Sequence, residues 1–288
     1  MWIGDDAAVV PCVDGFLVTS ADMSVQDVHA NLDLINHYDF GWRAFASALS
    51  DLAAMAAIPL HSLVCIACPS STDIDKLYTG IAAAAKEHNC PIVGGDISKG
   101  QKINISITVN GYCPHGPIFR SGAKVGDSIF VTAPLGASSA GLAFLNTVSN
   151  PKELDISTLE VDNQNLLQAH LRPLAKINQG LAAQAGGASS MIDVSDGLAT
   201  DLNHIAIASG IGIELDSVPI AKQASLEQAL GGGEDYELIF TASDPAKIKN
   251  KFKENKLLPP IEIGHCVAQT NRRTLAGKPF AVSGWRHF

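Results

Sequence analysis

Aspartates recur at the ends of apolar segments throughout this chain of 288 residues. Two follow "WIG" near the start, one follows "FLVTSA", one ends "PIVGGD" and two belong to "MIDVSDGL". Hard Mg²⁺ prefers carboxylate oxygens and substrate phosphates as ligands. Carboxylates that converge on metal ions therefore predict phosphate chemistry. The set is Asp5, Asp6, Asp22, Asp51, Asp96, Asp193 and Asp196.

Asp51 is the most informative member, because it lies inside an apolar helix pattern. Phe45, Leu49, Leu52 and Ala56 recur at helical spacing in "DFGWRAFASALSDLAAMAA". Asp51 is therefore expected to face a partly buried surface, where an unpaired carboxylate is costly. Few lysines or arginines lie near the other aspartates in the sequence, so divalent cations are the expected partners.

The stretch "MIDVSDGLATDL" has two interpretations. In the first interpretation, Asp193 or Ser195 is an ordinary helix cap, since both residue types favour that position. Alternatively, Asp193 and Asp196 hold a metal ion where a buried run meets a helix start. The acidic set as a whole favours the metal.

Three further segments suit a nucleotide. "GGDISKG" is expected to end a strand in a Gly-rich turn, where the backbone approaches a phosphate closely. Arg120 in "FRSGAKVGD" offers a planar cation to phosphate oxygens, although a surface arginine is equally compatible. "LGASSAGLA" either presents helix N-terminal amides to an anion or packs small residues tightly. The sequence contains no P-loop, no complete dinucleotide fingerprint and no kinase catalytic loop.

The bulk properties exclude several classes of protein. The chain is 47% hydrophobic and 17% charged with a net charge of −9, which predicts a substantial core and no nucleic-acid surface. The absence of a signal peptide and of a membrane-length apolar run predicts a soluble cytoplasmic protein with no membrane partner. "CIAC" has redox and zinc spacing, but in a strand Cys65 and Cys68 point to opposite faces, so ordinary thiols are expected.

The elements around these motifs alternate between strand and helix patterns, and a fresh start follows "PIFRSGAKVGD". We therefore predict an α/β (α+β) protein of two domains, residues 1–116 and 117–288. The predicted elements of the first domain are strands at 3–10 and 16–20, helices at 39–57 and 73–87, and strands at "HSLVCIAC", "PIVGGD" and "INISITVNGYC".

Nine motifs resemble the thiamine-monophosphate kinases of the aminoimidazole-ribonucleotide-synthetase-like superfamily, in the order of that family and over essentially the whole chain. The resemblance implies phosphorylation of thiamine monophosphate to thiamine diphosphate by ATP, with several Mg²⁺ ions. It also implies a homodimer in which two N-terminal domains form a β-barrel, with a C-terminal α/β domain alongside. The motifs are "IGDDAAVV", "TSADMSVQDVH", "LSDLAAMAA", "VGGDISKG", "RSGAKVGDSIFVT", "HLRP", "IDVSDGL", "GGEDYEL" and "GWRHF".

The resemblance assigns roles by position. The expected catalytic residues are Asp51, Asp96 and Arg120. The positions that match nucleotide contacts are Gly95, Asp96, Arg120 and Ser195. The positions that match substrate contacts are His29, Glu234 and Trp285. The positions that match magnesium ligands are Asp6, Ser20, Ala21 (through its carbonyl), Asp22, Asp51, Asp96, Asp193 and Asp196.

Two departures from the family pattern concern the site. Ala30 replaces the usual Phe after the histidine, which weakens the match around His29, and Ala137 in "LGAS" offers no carboxylate. Two other functions stay open at this stage. One is another ATP-dependent synthetase of the same superfamily. The other is a non-catalytic protein that binds a thiamine phosphate or a nucleotide.

Overall fold

A computed structural model describes residues 4–282 and 284, which form two sheets with helices packed against them. The first sheet has the strand order β1-β2-β5-β3-β4. Strands β3 and β4 run parallel, and the other neighbours run antiparallel. The strands are β1 (Ala8–Cys12), β2 (Gly15–Val25), β3 (Ile58–Cys68), β4 (Ile92–Lys99) and β5 (Asn104–Cys113).

Two helices, α1 (His37–Ala54) and α2 (Ile74–Glu87), cover one face of this sheet. Helix α1 begins where the Asn36 side chain accepts a hydrogen bond from the Asp39 backbone N–H at 3.1 Å. Strands β2, β3 and β5 alternate between buried and exposed positions, as expected for a sheet covered on one side. The opposite face exposes apolar side chains, namely Val10, Leu17, Met23 and Leu63.

The second unit is a sheet of seven strands in the order β12-β11-β8-β10-β6-β9-β7. Its strands are β6 (Ser128–Val131), β7 (Ala188–Asp193), β8 (Gly212–Leu215), β9 (Leu238–Ala242), β10 (Ile261–Val267), β11 (Arg273–Leu275) and β12 (Lys278–Pro279). Its helices are α3 (Ala137–Leu145), α4 (Val161–Leu171), α5 (Ile177–Gly186), α6 (Leu198–Ser209), α7 (Leu226–Gly231) and α8 (Pro245–Glu254), with 3₁₀ turns at Pro151–Glu153 and Ile156–Thr158.

Helix α1 packs into the cores of both units. Its Ala53 and Ala54 belong to a buried cluster with Phe130 and Phe240 of the second sheet. Gly180 of α5 lies so close that a Cβ there would be 2.2 Å from the carbonyl oxygen of Ala53. The last turn of α1 is therefore held between the two sheets, next to the position of Asp51.

The predicted two-domain α/β fold is confirmed, and so is the order of the elements predicted for the first domain, although the strand predicted at 3–10 is observed at Ala8–Cys12. Cys65 and Cys68 are free thiols, exposed and buried respectively, as opposite faces of β3 require. The predicted Gly-rich turn at "GGDISKG" is wrong, because β4 continues through these residues to Lys99. Within residues 4–282 and 284, no helix has the length and apolar character to cross a bilayer.

Candidate functional site

Three carboxylates from distant parts of the chain meet at one point. Asp6 lies just before β1, Asp51 lies near the end of α1, and Asp193 is the last residue of β7. One oxygen atom of each lies within 4.8 Å of the corresponding atoms of the other two. Asp6 and Asp193 are buried and Asp51 is half-buried, so the three charges share a site that water screens poorly.

One guanidinium and two hydroxyl groups contact this cluster. Arg120 donates to Asp6 Oδ1 from Nη2 at 2.6 Å and from Nε at 3.2 Å. Ser50 Oγ donates to Asp193 Oδ2 at 2.6 Å, and the Ser20 hydroxyl donates to Asp51. The hydroxyl groups supply hydrogen bonds but no charge. Among the residues that the structure describes, Arg120 is the one cation seen to pair with the three carboxylates.

The electrostatics of the cluster favour a bound cation. Burial, opposed by Arg120, raises the pKa of Asp6 to about 6, and burial together with Asp6 raises the pKa of Asp193 to about 7. Burial and the charge of Asp193 raise the pKa of Asp51 well above its ordinary value. Asp6 Oδ2 is buried without a hydrogen-bond partner within the described part of the chain. An oxygen-rich, desolvated, under-neutralised set fits a hard divalent ion.

The other expected ligands lie around the cluster in different ways. Asp22 lines the same cavity as Asp51. Burial and the charges of Asp193 and Asp6 raise the pKa of the Asp51 carboxyl most, and the charge of Asp22 raises it further. Ala21 is exposed on the opposite face of β2, so its side chain points away from the cluster. Asp196 lines the cavity and shares a second acidic group with Asp201 and His204, with ligand atoms within 4.8 Å of one another.

The interpretation of Asp193 or Ser195 as a helix cap is wrong. Helix α6 begins at Leu198, and its N-cap residue is Gly197, which makes no side-chain cap bond. The Asp201 carboxylate in the first turn instead accepts the backbone N–H groups of Asp196 and Gly197, each at 3.0 Å. Because Asp201 satisfies these donors, the Asp193 carboxylate does not serve the helix and joins the acidic cluster.

A cavity of about 460 Å³ opens beside the carboxylates. Asp51, Asp193 and Ser195 line it together with the two substrate candidates His29 and Glu234. The backbone N–H of residue 25 donates to His29 Nδ1 at 3.1 Å, so a neutral imidazole carries its proton on Nε2. Apolar side chains complete the wall, namely Val28, Leu34, Ile35 and Leu142.

The acids of "GGGEDYEL" have separate partners. Glu234 forms an ion pair with Arg43 at 2.7 Å. Asp235 accepts the backbone N–H groups of Gly136 at 2.6 Å and Ser138 at 3.0 Å, at the N-terminus of α3. Glu237 pairs with Lys176 at 2.8 Å. The "LGAS" amides are thus bound to a carboxylate of the same chain, which excludes the interpretation that these two amides bind an external anion.

Gly95 and Asp96 lie away from the cluster within this chain. Asp96 pairs with Cys65 in β3, which places its side chain on the open face of the sheet, opposite to α1. Strands β3 and β5 separate β4 from β2. At Gly95 (φ +154°) a Cβ would lie 1.8 Å from the carbonyl oxygen of Val64, so the strand requires glycine there. Trp285 lies outside the described residues.

Sequence reasoning missed three residues of the site, namely Arg43, Ser50 and Asp201. Arg43 had a detectable signal, because it is a single arginine in the same apolar helix pattern that identified Asp51. A buried guanidinium needs a partner for the same physical reason as a buried carboxylate. Ser50 and Asp201 had no comparable signal, since serine and aspartate are common in helices and at their starts.

Comparisons with known proteins agree with this architecture. The family model of the AIR synthase related protein, N-terminal domain, matches residues 4–113, and the model of the C-terminal domain matches residues 124–275. The thiamine-monophosphate kinase of Aquifex aeolicus is 34% identical over 99% of this chain and 92% of its own length. The enzyme of that name from Bacillus subtilis is 36% identical over 95% of this chain and 87% of its own.

Solved structures give the same result. The structure of AaThiL complexed with AMPPCP and TMP has a TM-score of 0.87 and 33% identity, covering 100% of this chain and 92% of that one. The structure of thiamine-monophosphate kinase from Stenotrophomonas maltophilia has a TM-score of 0.82 and 32% identity, covering 97% of this chain and 92% of that one. The chain therefore belongs to the AIR synthase related family and, within it, to the thiamine-monophosphate kinases.

Proposed function

We propose that this chain phosphorylates thiamine monophosphate with ATP to give thiamine diphosphate and ADP. The observation that carries the proposal is the cluster of Asp6, Asp51 and Asp193 beside a cavity that also contains His29 and Glu234. Such an arrangement brings a polyanion-binding group and an organic substrate site into contact. The relative solved with AMPPCP and TMP supports the same pair of ligands.

We infer that Mg²⁺ binds at the acidic cluster. Asp6, Asp51 and Asp193 are the central ligands, and Asp22 and Asp196 extend the site along the cavity. An ion held by these residues would supply positive charge to neutralise the phosphate groups of the substrates. Asp6 Oδ2, which has no hydrogen-bond partner among residues 4–282 and 284, and the raised pKa of the Asp193 carboxyl support this assignment.

The chemistry requires positioning more than proton transfer. A phosphate monoester has a second pKa near about 6, so the acceptor phosphate is largely dianionic at neutral pH and needs no general base. Two polyanions must nevertheless approach each other. Arg120 lies next to Asp6, where its guanidinium can meet phosphate oxygens of ATP. Ser195 lines the same cavity as the acidic cluster, which suits an in-line approach of the two substrates.

The organic part of the substrate is proposed to occupy the cavity wall away from the cluster. Its thiazolium ring is cationic, and Glu234 supplies the opposite charge. His29 lines the same wall, and Val28, Leu34, Ile35 and Leu142 offer apolar surface. Trp285 stays a prediction from the family resemblance, as an aromatic partner for the cationic ring.

We further propose that a second copy of the chain completes the nucleotide site. The open face of the first sheet exposes Val10, Leu17, Met23 and Leu63 together, and exposed apolar patches on a sheet commonly mark protein–protein contacts. Asp96 lies on that face, about 14 Å from β2 at the usual strand spacing. If two such faces pack together as a barrel, Gly95 and Asp96 of one copy approach the cluster of the other.

A coupled assay with ATP, Mg²⁺ and thiamine monophosphate tests the proposed activity. We expect ADP release that depends on all three components, with thiamine diphosphate formed in equal amount. ADP release without thiamine monophosphate, or tight binding of both ligands without product, would contradict the proposal. Replacing thiamine monophosphate with thiamine provides a control, because thiamine lacks the acceptor phosphate.

A further inference from the structure

Arg43 occupies a position that the reaction described above does not use. It lies in the middle of α1, and only 6% of its side chain is exposed. Its Nη2 donates to Glu234 Oε1 at 2.7 Å, and its Nη1 donates to the His170 carbonyl oxygen. Burial opposes its charge, but Glu234, Tyr236 and Asp39 together outweigh burial, so the pKa of Arg43 is raised. The guanidinium is thus a permanent buried cation between three segments of the chain.

His170 provides the second attachment. Its Nδ1 lies 3.1 Å from Arg43 Nη1. A guanidinium only donates, so Nδ1 accepts and the ring proton resides on Nε2. Burial and the charge of Arg43 keep the pKa of His170 well below its ordinary value, so the ring stays neutral. Ser138 Oγ lies 3.1 Å from the same nitrogen, which connects α3 to the end of α4 and to α1.

Glu234 is held in an unusual conformation at the other end of this contact. Its φ of +55° is in the left-handed region, and Gly233 before it has a φ of +64°. The Glu234 N–H donates to the Ser195 carbonyl oxygen at 2.8 Å. With its backbone fixed on Ser195 and one carboxylate oxygen fixed on Arg43, the side chain has little rotational freedom. One third of it is exposed, at the cavity wall.

We propose that Arg43 is a positioning residue that sets the affinity for the cationic ring of thiamine monophosphate by fixing the Glu234 carboxylate. The inference rests on the proposed function and deepens its substrate site. The ion pair engages Oε1 of Glu234, while one third of the Glu234 side chain stays exposed at the cavity wall. A carboxylate that is already ordered loses little conformational entropy when the ring binds. Arg43 and Asp51 also lie on the same helix, α1. The position of the Glu234 carboxylate relative to the acidic cluster is therefore fixed by one rigid element.

A kinetic comparison tests the proposal. We expect Arg43→Met to raise KM for thiamine monophosphate by about tenfold or more, with KM for ATP changed less than about twofold. Glu234→Gln should raise the same KM by a similar factor. Because both variants remove the same function, the KM of the double variant for thiamine monophosphate should be no more than about twofold above that of the poorer single variant.

The chain offers a matched control. Arg172 bonds Asp39 of α1 through Nε at 2.7 Å, so it makes an Arg–Asp pair on the same helix, and neither residue lines the cavity. Arg172→Met should leave KM for thiamine monophosphate within about twofold of the parent value. An equal rise in Arg172→Met would show that general packing of α1 is responsible, and it would overturn the proposal. An equal rise of both KM values in Arg43→Met would also overturn it.

Arg43→Lys keeps the experiment decisive if the methionine variant does not fold. A lysine retains the charge but lacks the planar fork that reaches His170 and Glu234 together. We expect about a threefold rise in KM for thiamine monophosphate, which disappears in the Glu234→Gln background. A rise that persists in that background contradicts the proposal. Absence of turnover in the parent protein would instead contradict the proposed function, so the two failures are distinguishable.

Discussion

At the scale of single residues, the cluster of Asp6, Asp51 and Asp193 explains why these acids occupy apolar surroundings. Each was identifiable from the sequence, because a carboxylate in a buried pattern demands a partner. Their mutual distances were not, since they depend on the packing of α1 against β7. Arg43 follows the same physical rule, because a buried guanidinium in an apolar helix pattern also needs a partner.

Asp51→Asn is expected to reduce turnover by about a thousandfold or more, because the cation that would neutralise the phosphate charge loses one of its ligands. The fold should survive, since removing one of three mutually repelling carboxylates relieves repulsion. Steady-state kinetics and thermal unfolding without metal check both points. Asp216→Asn, at an exposed aspartate, is the matched control for loss of charge. Turnover within about tenfold of the parent would contradict the assignment.

Removal of magnesium should have a measurable effect on stability. A ligand that binds only the folded state at 100 times its Kd adds about 2.7 kcal/mol to the free energy of unfolding. Mg²⁺ is therefore expected to raise the Tm of the parent protein and to raise the Tm of Asp193→Asn much less. Thermal scans with Mg²⁺ and with EDTA provide the comparison. Equal stabilisation of both proteins would place the ion elsewhere.

At the scale of elements, the long helices and the alternating strands were predictable because their patterns are local. Strand β4 was predicted at "PIVGGD", but its continuation to Lys99 was not, since Gly94 and Gly95 suggested a turn, whereas Gly95 is needed for close approach to Val64 inside the sheet. The short strands β11 and β12 contain too few residues to show a period. The start of α6 was also misread, because Asp201 caps it from inside the helix.

The contact between α2 and the turn after α4 should respond to pH. The Ala175 N–H donates to His88 Nε2 at 3.0 Å, so Nδ1 carries the proton and donates to the Ala84 carbonyl oxygen. Burial lowers the pKa of His88. Below about pH 6.5 the unfolded chain binds a proton that the folded chain excludes, so stability falls as pH falls. Above that pH the contribution is constant.

Denaturant unfolding between pH 7.5 and 5 measures this effect. In His88→Asn the slope of unfolding free energy against pH should be smaller by up to about 1.4 kcal/mol per pH unit below pH 6.5. His115→Asn, at an exposed histidine, should leave the slope unchanged. An unchanged slope in His88→Asn would mean that protonation does not disrupt the contact with residue 175.

At the scale of the whole molecule, the two-part architecture and the family were accessible from sequence because nine motifs occur in order. The relation of Asp96 to the other aspartates was not, because strand order and sheet face are properties of the assembled fold. The boundary between residues 116 and 117 stays a prediction. Sequence also gave no sign that α1 contributes to both cores.

Mixing two inactive variants tests whether Asp96 acts across a dimer. If Asp51 and Asp96 of one site come from different copies, a heterodimer of one Asp51→Asn chain and one Asp96→Asn chain contains one intact site. A mixture that has exchanged subunits should then recover about a quarter of the parent activity, given random pairing of the subunits. No recovery, with exchange verified by mass spectrometry of tagged chains, would show that both residues act within one chain.

The position of α1 between the two sheets also limits how ligands enter. Separating the sheets would expose Ala53, Ala54, Phe130 and Phe240, which form one continuous buried cluster. Opening by a hinge between the units is therefore costly. Ligands are therefore expected to enter at the rim of the cavity, where residues 27–31 contribute much of the lining. Small-angle scattering should accordingly give the same radius of gyration with and without nucleotide, because substrates enter without a change in the relative position of the two sheets.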